Sequence, residues 1–160
     1  MQKKVDINKI KQLREETDVS YAVCRQALIE ANGDLDQARK ILIQQGAKKI
    51  EKAKANETSE GKIFSYVHHN GKFAGFVEIL SQTDFVANSQ DFIELGKNLA
   101  QQAASLEFKS IKEFLNQEFI KDPKKKIQDL INDAILKLGE NIKVSRAQRW
   151  VLGELQTKNE

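Results

Sequence analysis

The sequence predicts an α+β protein: an N-terminal three-helix bundle, a charged linker, and a core in which a three-stranded antiparallel sheet packs against helices. Three observations carry this. Apolar residues recur at spacings of three and four through the first 46 positions and again after position 89. Two β-rich runs flank Asn70-Gly71, and a final alternating run, Ile142 to Leu152, follows the last helical stretch. The corresponding units are residues 1–46, 47–60 and 61–160.

In chain order, Asp6 is placed to cap a helix from Ile7 to Glu16, with Ile7, Ile10 and Leu13 on one face. Ser20 stands before Tyr21 to Ala31, which closes at Asn32-Gly33. Asp34, with Gln37 three residues on, opens a third helix through Leu35, Ala38, Ile41 and Leu42, whose end is expected at Gly46. Three short helices joined by tight turns suit a ubiquitin-associated-like bundle with a docking role. Residues 47–60 are rich in Lys and Glu and carry no wide apolar stripe, so they read as a linker with scope for partial helix.

The core begins with Ile63 to Val67 and Phe73 to Leu80, joined through His68-His69-Asn70-Gly71, with Asn70 and Gly71 expected at positive φ. A long helix spans Ser89 to Leu106, with Phe92, Leu95, Leu99, Ala103 and Leu106 along one side. Ser110 and Glu113 have capping-box spacing for a short helix. Asp122-Pro123 reads as the start of a helix through Lys124-Lys125-Lys126 to Leu138, stopped by Gly139. Ile142 to Leu152 supplies the third strand.

Composition narrows the function. The chain has 160 residues, 40% hydrophobic and 31% charged, which fits one globular domain or two small ones. A net charge of +3 with little Arg fits a solvated lysine-rich surface, not a nucleic-acid face. The single cysteine, Cys24, excludes an internal disulfide or a cysteine metal cluster and is expected to be a buried thiol of a cytoplasmic protein. Met1-Gln2-Lys3-Lys4 opens no signal-peptide core, and no apolar run is long enough to span a bilayer, so no membrane association is expected.

Catalytic patterns are missing: there is no glycine-rich phosphate loop, no His-Glu-x-x-His, and no nucleophile with a base at usable spacing. The expectation is a protein without enzymatic activity, without a cofactor or resident metal, and without direct nucleotide binding. His68 and His69 are the only histidines; on a regular strand they would face opposite ways and could not share a metal. Trp150 is expected in the core or at a subunit interface.

The most informative segment is Thr83-Asp84-Phe85-Val86-Ala87, an acid followed at once by an aromatic, between the end of a strand and the start of a helix. Connections of this kind collect function. The same residues also suit a structural role, with Phe85 folded back on its own helix and Asp84 capping a turn.

Four segments in order carry a resemblance over nearly the whole chain: Leu13-Arg14-Glu15-Glu16-Thr17 through Cys24 to Asp34; Glu60-Gly61-Lys62-Ile63; Thr83 to Ala87; and Leu138-Gly139-Glu140-Asn141-Ile142. Together they resemble the elongation factor Ts family of guanine-nucleotide exchange factors. The resemblance implies a partner, the GTPase elongation factor Tu, from which GDP is released by disturbing a Mg²⁺ and phosphate site. It assigns Mg²⁺ dislocation and partner binding to Thr83, Asp84, Phe85 and Val86, and further partner contacts to Leu13, Val19, Ser20, Tyr21 and His68. The family's turn before the second helix is Gly-rich and contains Met, whereas this chain has Asp18-Val19-Ser20-Tyr21. Long family members carry two related core halves; one core unit here implies a homodimer. A competing reading from the residues is a non-catalytic interaction scaffold built on the helical bundle.

Overall fold

A computed structural model describes residues 5–154. The lead at positions 1–4, read above for a targeting signal, and the last six positions of the 61–160 unit lie outside the described residues. The chain divides into two compact units, Met1–Glu51 and Lys52–Glu160.

The first unit is a helical bundle of α1 (Ile7–Thr17), α2 (Tyr21–Glu30) and the first part of α3 (Leu35–Lys54). Asp6 caps α1 by accepting the Asn8 N–H at 2.9 Å, and Asp34 accepts the Gln37 N–H at 2.8 Å. Ser20 occupies the cap position of α2 without a side-chain bond to the helix. Ile10, Leu13, Cys24, Ala27, Leu28, Ala38 and Leu42 form its core. Cys24 is fully buried, as its apolar neighbours imply, with Sγ 3.5 Å from the Val19 carbonyl. Arg39 ties α3 to α1 by reaching both carboxylate oxygens of Glu16, at 2.7 and 2.9 Å.

The third helix does not stop at Gly46 but runs on to Lys54, so most of the expected linker is helical. Gly46 does not adopt the positive φ of a helix terminator, and Ala47 to Lys54 are mainly Ala, Lys and Glu, good helix formers. Lys52 and Lys54 in the last turn complement the carbonyl end of the helix.

The second unit is built on a sheet of order β1-β2-β5, all antiparallel: β1 (Glu60–Val67), β2 (Phe73–Ser81) and β5 (Lys143–Val151). Three strands pack with helices, the expected α+β core. The connecting turn differs in detail. Gly71 alone takes positive φ (+69°), and the Gly71 N–H reaches the His68 carbonyl while the His68 N–H reaches the Phe73 carbonyl, both at 2.8 Å. Four residues, not two, therefore make the reversal. His68 and His69 lie beyond the strand end, which frees them from strand alternation, and their rings lie 4.1 Å apart instead of facing opposite ways.

Between β2 and β5 come α4 (Asp84–Ala87), α5 (Gln90–Ser105), α6 (Ile111–Asn116), β3 (Glu118–Phe119), β4 (Asp122–Lys126) and α7 (Ile127–Leu138). Helix α5 lies across one sheet face. At Gly75 the α5 backbone at Ala100 and Ala104 occupies the space a Cβ would need, and at Gly96 the Phe64 ring does so. Phe64 and Phe92 then meet at 6.1 Å between these contacts. Arg149 fastens the far end by donating to the Ala104 carbonyl at 3.1 Å while lying over the Phe73 ring.

The small hairpin β3–β4 replaces the first turn of the helix expected from Asp122. Asp122 does cap locally, accepting the Lys124 N–H at 3.3 Å, but it initiates a turn within a strand, where Pro123 lacks only a donor the edge does not use. The helix starts at Ile127, where Asp129 accepts the Lys126 N–H at 2.8 Å. The fully buried Gln102 holds this hairpin: its amide donates to Gln117 Oε1 and the Glu118 carbonyl, and its oxygen accepts the Ile120 N–H at 3.0 Å.

On the opposite face of the sheet, strand parity groups Ile63 and Val67 with Phe76 and Trp150. Trp150 is about half exposed and packs its ring 4.9 Å from Phe76, so it belongs to a sheet surface and not to the core. Glu78 and Arg146 pair there at 2.6 Å; the guanidinium and the Ser145 hydroxyl hold the Glu78 carboxyl below its ordinary range.

Two outcomes follow from this packing. Gly75→Ala drives a methyl into helix backbone that has nowhere to go, and should lower stability by about 3 kcal/mol in a denaturant titration. The Arg39 guanidinium lowers the Glu16 pKa from 4.5 to about 2. A carboxyl depressed by folding stabilises above its unfolded pKa and loses that contribution as pH falls through the folded one. Acidification from pH 4.5 to 2 should therefore destabilise α1 more in the native chain than in Glu16→Gln, read by hydrogen exchange of α1 amides.

Candidate functional site

Strand β2 ends at Ser81 and α5 begins at Gln90, so residues 82–89 must reverse direction within eight positions. They do so through the single turn α4. Thr83 is its cap, with Oγ1 accepting the Val86 N–H at 3.3 Å; Asp84 lies inside the helix and does not supply the cap. Ser89 in turn caps α5 by accepting the Phe92 N–H at 3.3 Å, and its hydroxyl donates to the Val86 carbonyl at 2.7 Å. Both ends of the connection are thus closed by side-chain hydroxyls.

One turn of helix has an inside and an outside. Val86 and Ala87 are buried at 5% and 3% exposure and form the foot of the turn. Phe85 projects the other way, 82% exposed, more than any other large hydrophobic side chain among the described residues. The alternative of an aromatic folded back onto its own helix is therefore not what the structure adopts. Asp84 and Thr83 are exposed beside it.

The segment is held from across the unit by Glu140, in the short link between α7 and β5. Its Oε2 accepts the N–H groups of Gln82 and Thr83, both at 3.1 Å, and its Oε1 accepts the Thr83 hydroxyl at 2.7 Å. The next residue continues the junction. The Asn141 N–H donates to Gln82 Oε1 at 2.6 Å, and its amide donates to the Asn56 carbonyl at 2.8 Å. Ser81 adds a bond from its buried hydroxyl to the Thr83 carbonyl at 2.9 Å. Glu140, Asn141 and Gln82 were not singled out as site residues from the sequence. The signal available was the run Leu138 to Ile142, which marked a helix-to-strand junction without saying what it touches.

The other expected contact residues fall elsewhere. His68 sits at the opposite end of β2 from Thr83, a strand length of roughly 26 Å away. It is half-buried, with Nδ1 3.0 Å from the Tyr66 hydroxyl. Val19, Ser20 and Tyr21 belong to the helical unit, following Asp18, whose left-handed φ of +54° ends α1. Tyr21 is 44% exposed and Ser20 is open to solvent, whereas Val19 packs partly against the bundle core. Leu13 is completely buried in that core and has no surface to offer; its part is to hold the helices that carry the turn. Among the described residues no group of three or more metal-binding side chains comes together, and no helix is long and apolar enough to cross a membrane.

Comparison with known proteins places this arrangement in context. A family model described as Elongation factor TS matches residues 82–158, beginning at the clamped Gln82. The chain is similar to a protein of Thermotoga sp. (strain RQ2), 36% identical over 193 aligned positions that cover 94% of this chain and 97% of the relative. A protein of Fervidobacterium nodosum is 35% identical, with 91% and 96% covered, and one of Oleidesulfovibrio alaskensis is 36% identical, with 90% and 96% covered. All three are called Elongation factor Ts. An alignment of 193 positions on a chain of 160 residues leaves at least 33 without a counterpart here, so the Thermotoga relative has internal additions. With identity above 30% across nine-tenths of its length, this chain belongs to the elongation factor Ts family.

Proposed function

We propose that the chain is a guanine-nucleotide exchange factor that binds elongation factor Tu carrying GDP and promotes GDP release so that GTP can enter. The observation that carries this is Phe85, a large apolar side chain held out in solvent on a turn whose other side is buried. Solvating an aromatic in this way forgoes roughly 1.5–3 kcal/mol of burial, which a pocket on a partner recovers. Family membership supplies the partner's class, and the lack of any catalytic constellation fits a protein that acts by binding alone.

The mechanism is displacement. A nucleotide diphosphate in such a GTPase is held through a phosphate cradle and a Mg²⁺ ion that needs nearly ideal octahedral coordination. Phe85 enters beside that site, with Asp84 and Thr83 at its flank and Val86 as the buried base, and shifts the elements that hold the ion. Val19, Ser20 and Tyr21 of the ubiquitin-associated-like unit, together with His68, make further contacts that raise the total area to the range of a specific interface, above about 1,000 Å². Linkage requires that the factor lose affinity for the partner by as much as GDP does, so the ternary complex is transient. The chain itself binds neither nucleotide nor nucleic acid, takes no cofactor and works in the cytoplasm.

Two copies associate through the sheet face bearing Ile63, Val67, Phe76 and Trp150, where Ile63, Val67 and Trp150 are exposed. Light scattering at micromolar concentration should give twice the mass of 18.2 kDa, and Trp150→Lys should return it to one; a monomeric native chain overturns the dimer.

The exchange reading is tested by following release of fluorescent GDP from elongation factor Tu against excess unlabelled GDP. Catalytic amounts of the chain should accelerate release. Phe85→Ala should lose at least about tenfold of that acceleration with stability unchanged within roughly 0.5 kcal/mol, since the side chain is exposed. An unchanged rate in that variant removes the wedge role, and binding without acceleration by the native chain favours an interaction scaffold.

A further inference from the structure

We infer that Glu140 is the positioning residue of the Phe85 turn: its carboxylate fixes the backbone of Gln82 and Thr83 and so presets the conformation in which Phe85 meets its partner. The inference rests on the exchange reading above and adds to it a residue outside the loop, 55 positions on from Phe85.

The geometry distinguishes Glu140 from an ordinary surface acid. A carboxylate here accepts three bonds, from two successive backbone N–H groups and one hydroxyl, all on the segment entering α4. Those two N–H groups follow the last residue of β2, Ser81, and precede α4, so strand and helix ladders leave them without a partner. A single side chain thus satisfies donors that would otherwise leave the entry to α4 free to sample other conformations. Charge-assisted bonds of this kind are stronger than neutral ones. The anchor is itself anchored: Gly139, at φ +75°, ends α7 with its N–H on the Ile135 carbonyl at 2.8 Å, and Asn141 is bonded on both sides. Glu140 therefore stands on a fixed hinge between a helix and a strand, and the turn it holds inherits that rigidity.

Presetting a loop acts on binding. If only a fraction of free molecules holds the competent turn, the apparent affinity falls by that fraction while events within the complex proceed as before. Loss of Glu140 should thus raise the concentration of factor that half-saturates nucleotide release and leave the saturating rate largely intact. Loss of Phe85 should instead reduce the saturating rate. A Gln at 140 keeps an oxygen that accepts from the two N–H groups and an amide that donates to the Thr83 hydroxyl, so it should restore most of the native behaviour.

The experiment measures GDP release from elongation factor Tu against increasing concentrations of the full chain, for the native protein, Glu140→Ala, Glu140→Gln and Phe85→Ala, with hydrogen exchange of the Gln82 and Thr83 amides in the free proteins. Glu140→Ala should raise the half-saturating concentration about tenfold or more and speed exchange at those amides, with the saturating rate within about threefold of native; Glu140→Gln should recover both. An unchanged half-saturating concentration in Glu140→Ala overturns the positioning role, as does a fall confined to the saturating rate, or failure of Glu140→Gln to rescue. Should Glu140→Ala unfold, Glu140→Asp, whose shorter side chain does not reach all three donors, carries the same comparison, and native affinity and amide protection in that variant would equally overturn it. If the native chain does not accelerate release, the exchange reading falls, and the positioning role falls with it.

Discussion

The seating of α5 on β2 is the constraint on which the second unit depends. Helix and strand touch backbone to backbone at Gly75, a distance that only a residue without a Cβ permits, and Gly96 admits the Phe64 ring in the same way. Close approach is what lets the apolar side of α5, with Phe92, Leu99, Ala100 and Ala103, bury completely against a sheet of only three strands. It also fixes where β2 ends and α5 starts. The eight residues between have little freedom left, and a single helical turn, closed by Thr83 and Ser89, is how this sequence fills that gap.

Within that turn, burial and hydrogen bonding divide the work. Val86 and Ala87 give it an apolar foot, and Glu140 gives it a polar grip, so Phe85 is not needed for stability and is left outward. On the proposed reading, this division is how a protein acts on another protein's ligand by binding alone. Its effect resides in shape held ready, and a preset shape spends less ordering entropy at the moment of binding than a loose one.

The sequence made some of this legible and concealed the rest, for identifiable reasons. Caps with short side chains were readable because they act locally: Asp6, Asp34 and Ser110 each bond within three residues. Long-range contacts were not. Nothing around Gly75 or Gly96 distinguishes a close-packing glycine from a tolerated one, and the partners of Glu140 lie 57 and 58 positions away. Two local signals were also overruled. Gly46 stayed helical because good helix formers follow it, and Asp122-Pro123 opened a strand because Gln102, buried under the hairpin, binds the backbone at Glu118 and Ile120. The first was decided by the propensity of the residues that follow, the second by a contact beyond the reach of local pattern.

Magnitudes bear on how the proposed wedge works. A thousandfold acceleration of nucleotide release requires about 4 kcal/mol of selective stabilisation of the releasing state. Burying one Phe supplies roughly 1.5–3 kcal/mol, and part of that merely secures binding. The remainder must come from contacts that hold Phe85 against its target while the partner distorts. Presetting of the turn acts before that step: it spares ordering entropy on contact and so serves affinity, not the distortion itself. The grip of Glu140 on the entry to α4 and the buried foot at Val86 supply that presetting from two sides. In the proposed complex the helical unit, tethered in the same chain, raises the local concentration of the wedge at its target without adding any contact at the nucleotide. In the proposed mechanism affinity and distortion thus fall to different parts of the chain, so that a contact strong enough to shift a Mg²⁺ ion still leaves a complex that dissociates once a new nucleotide enters.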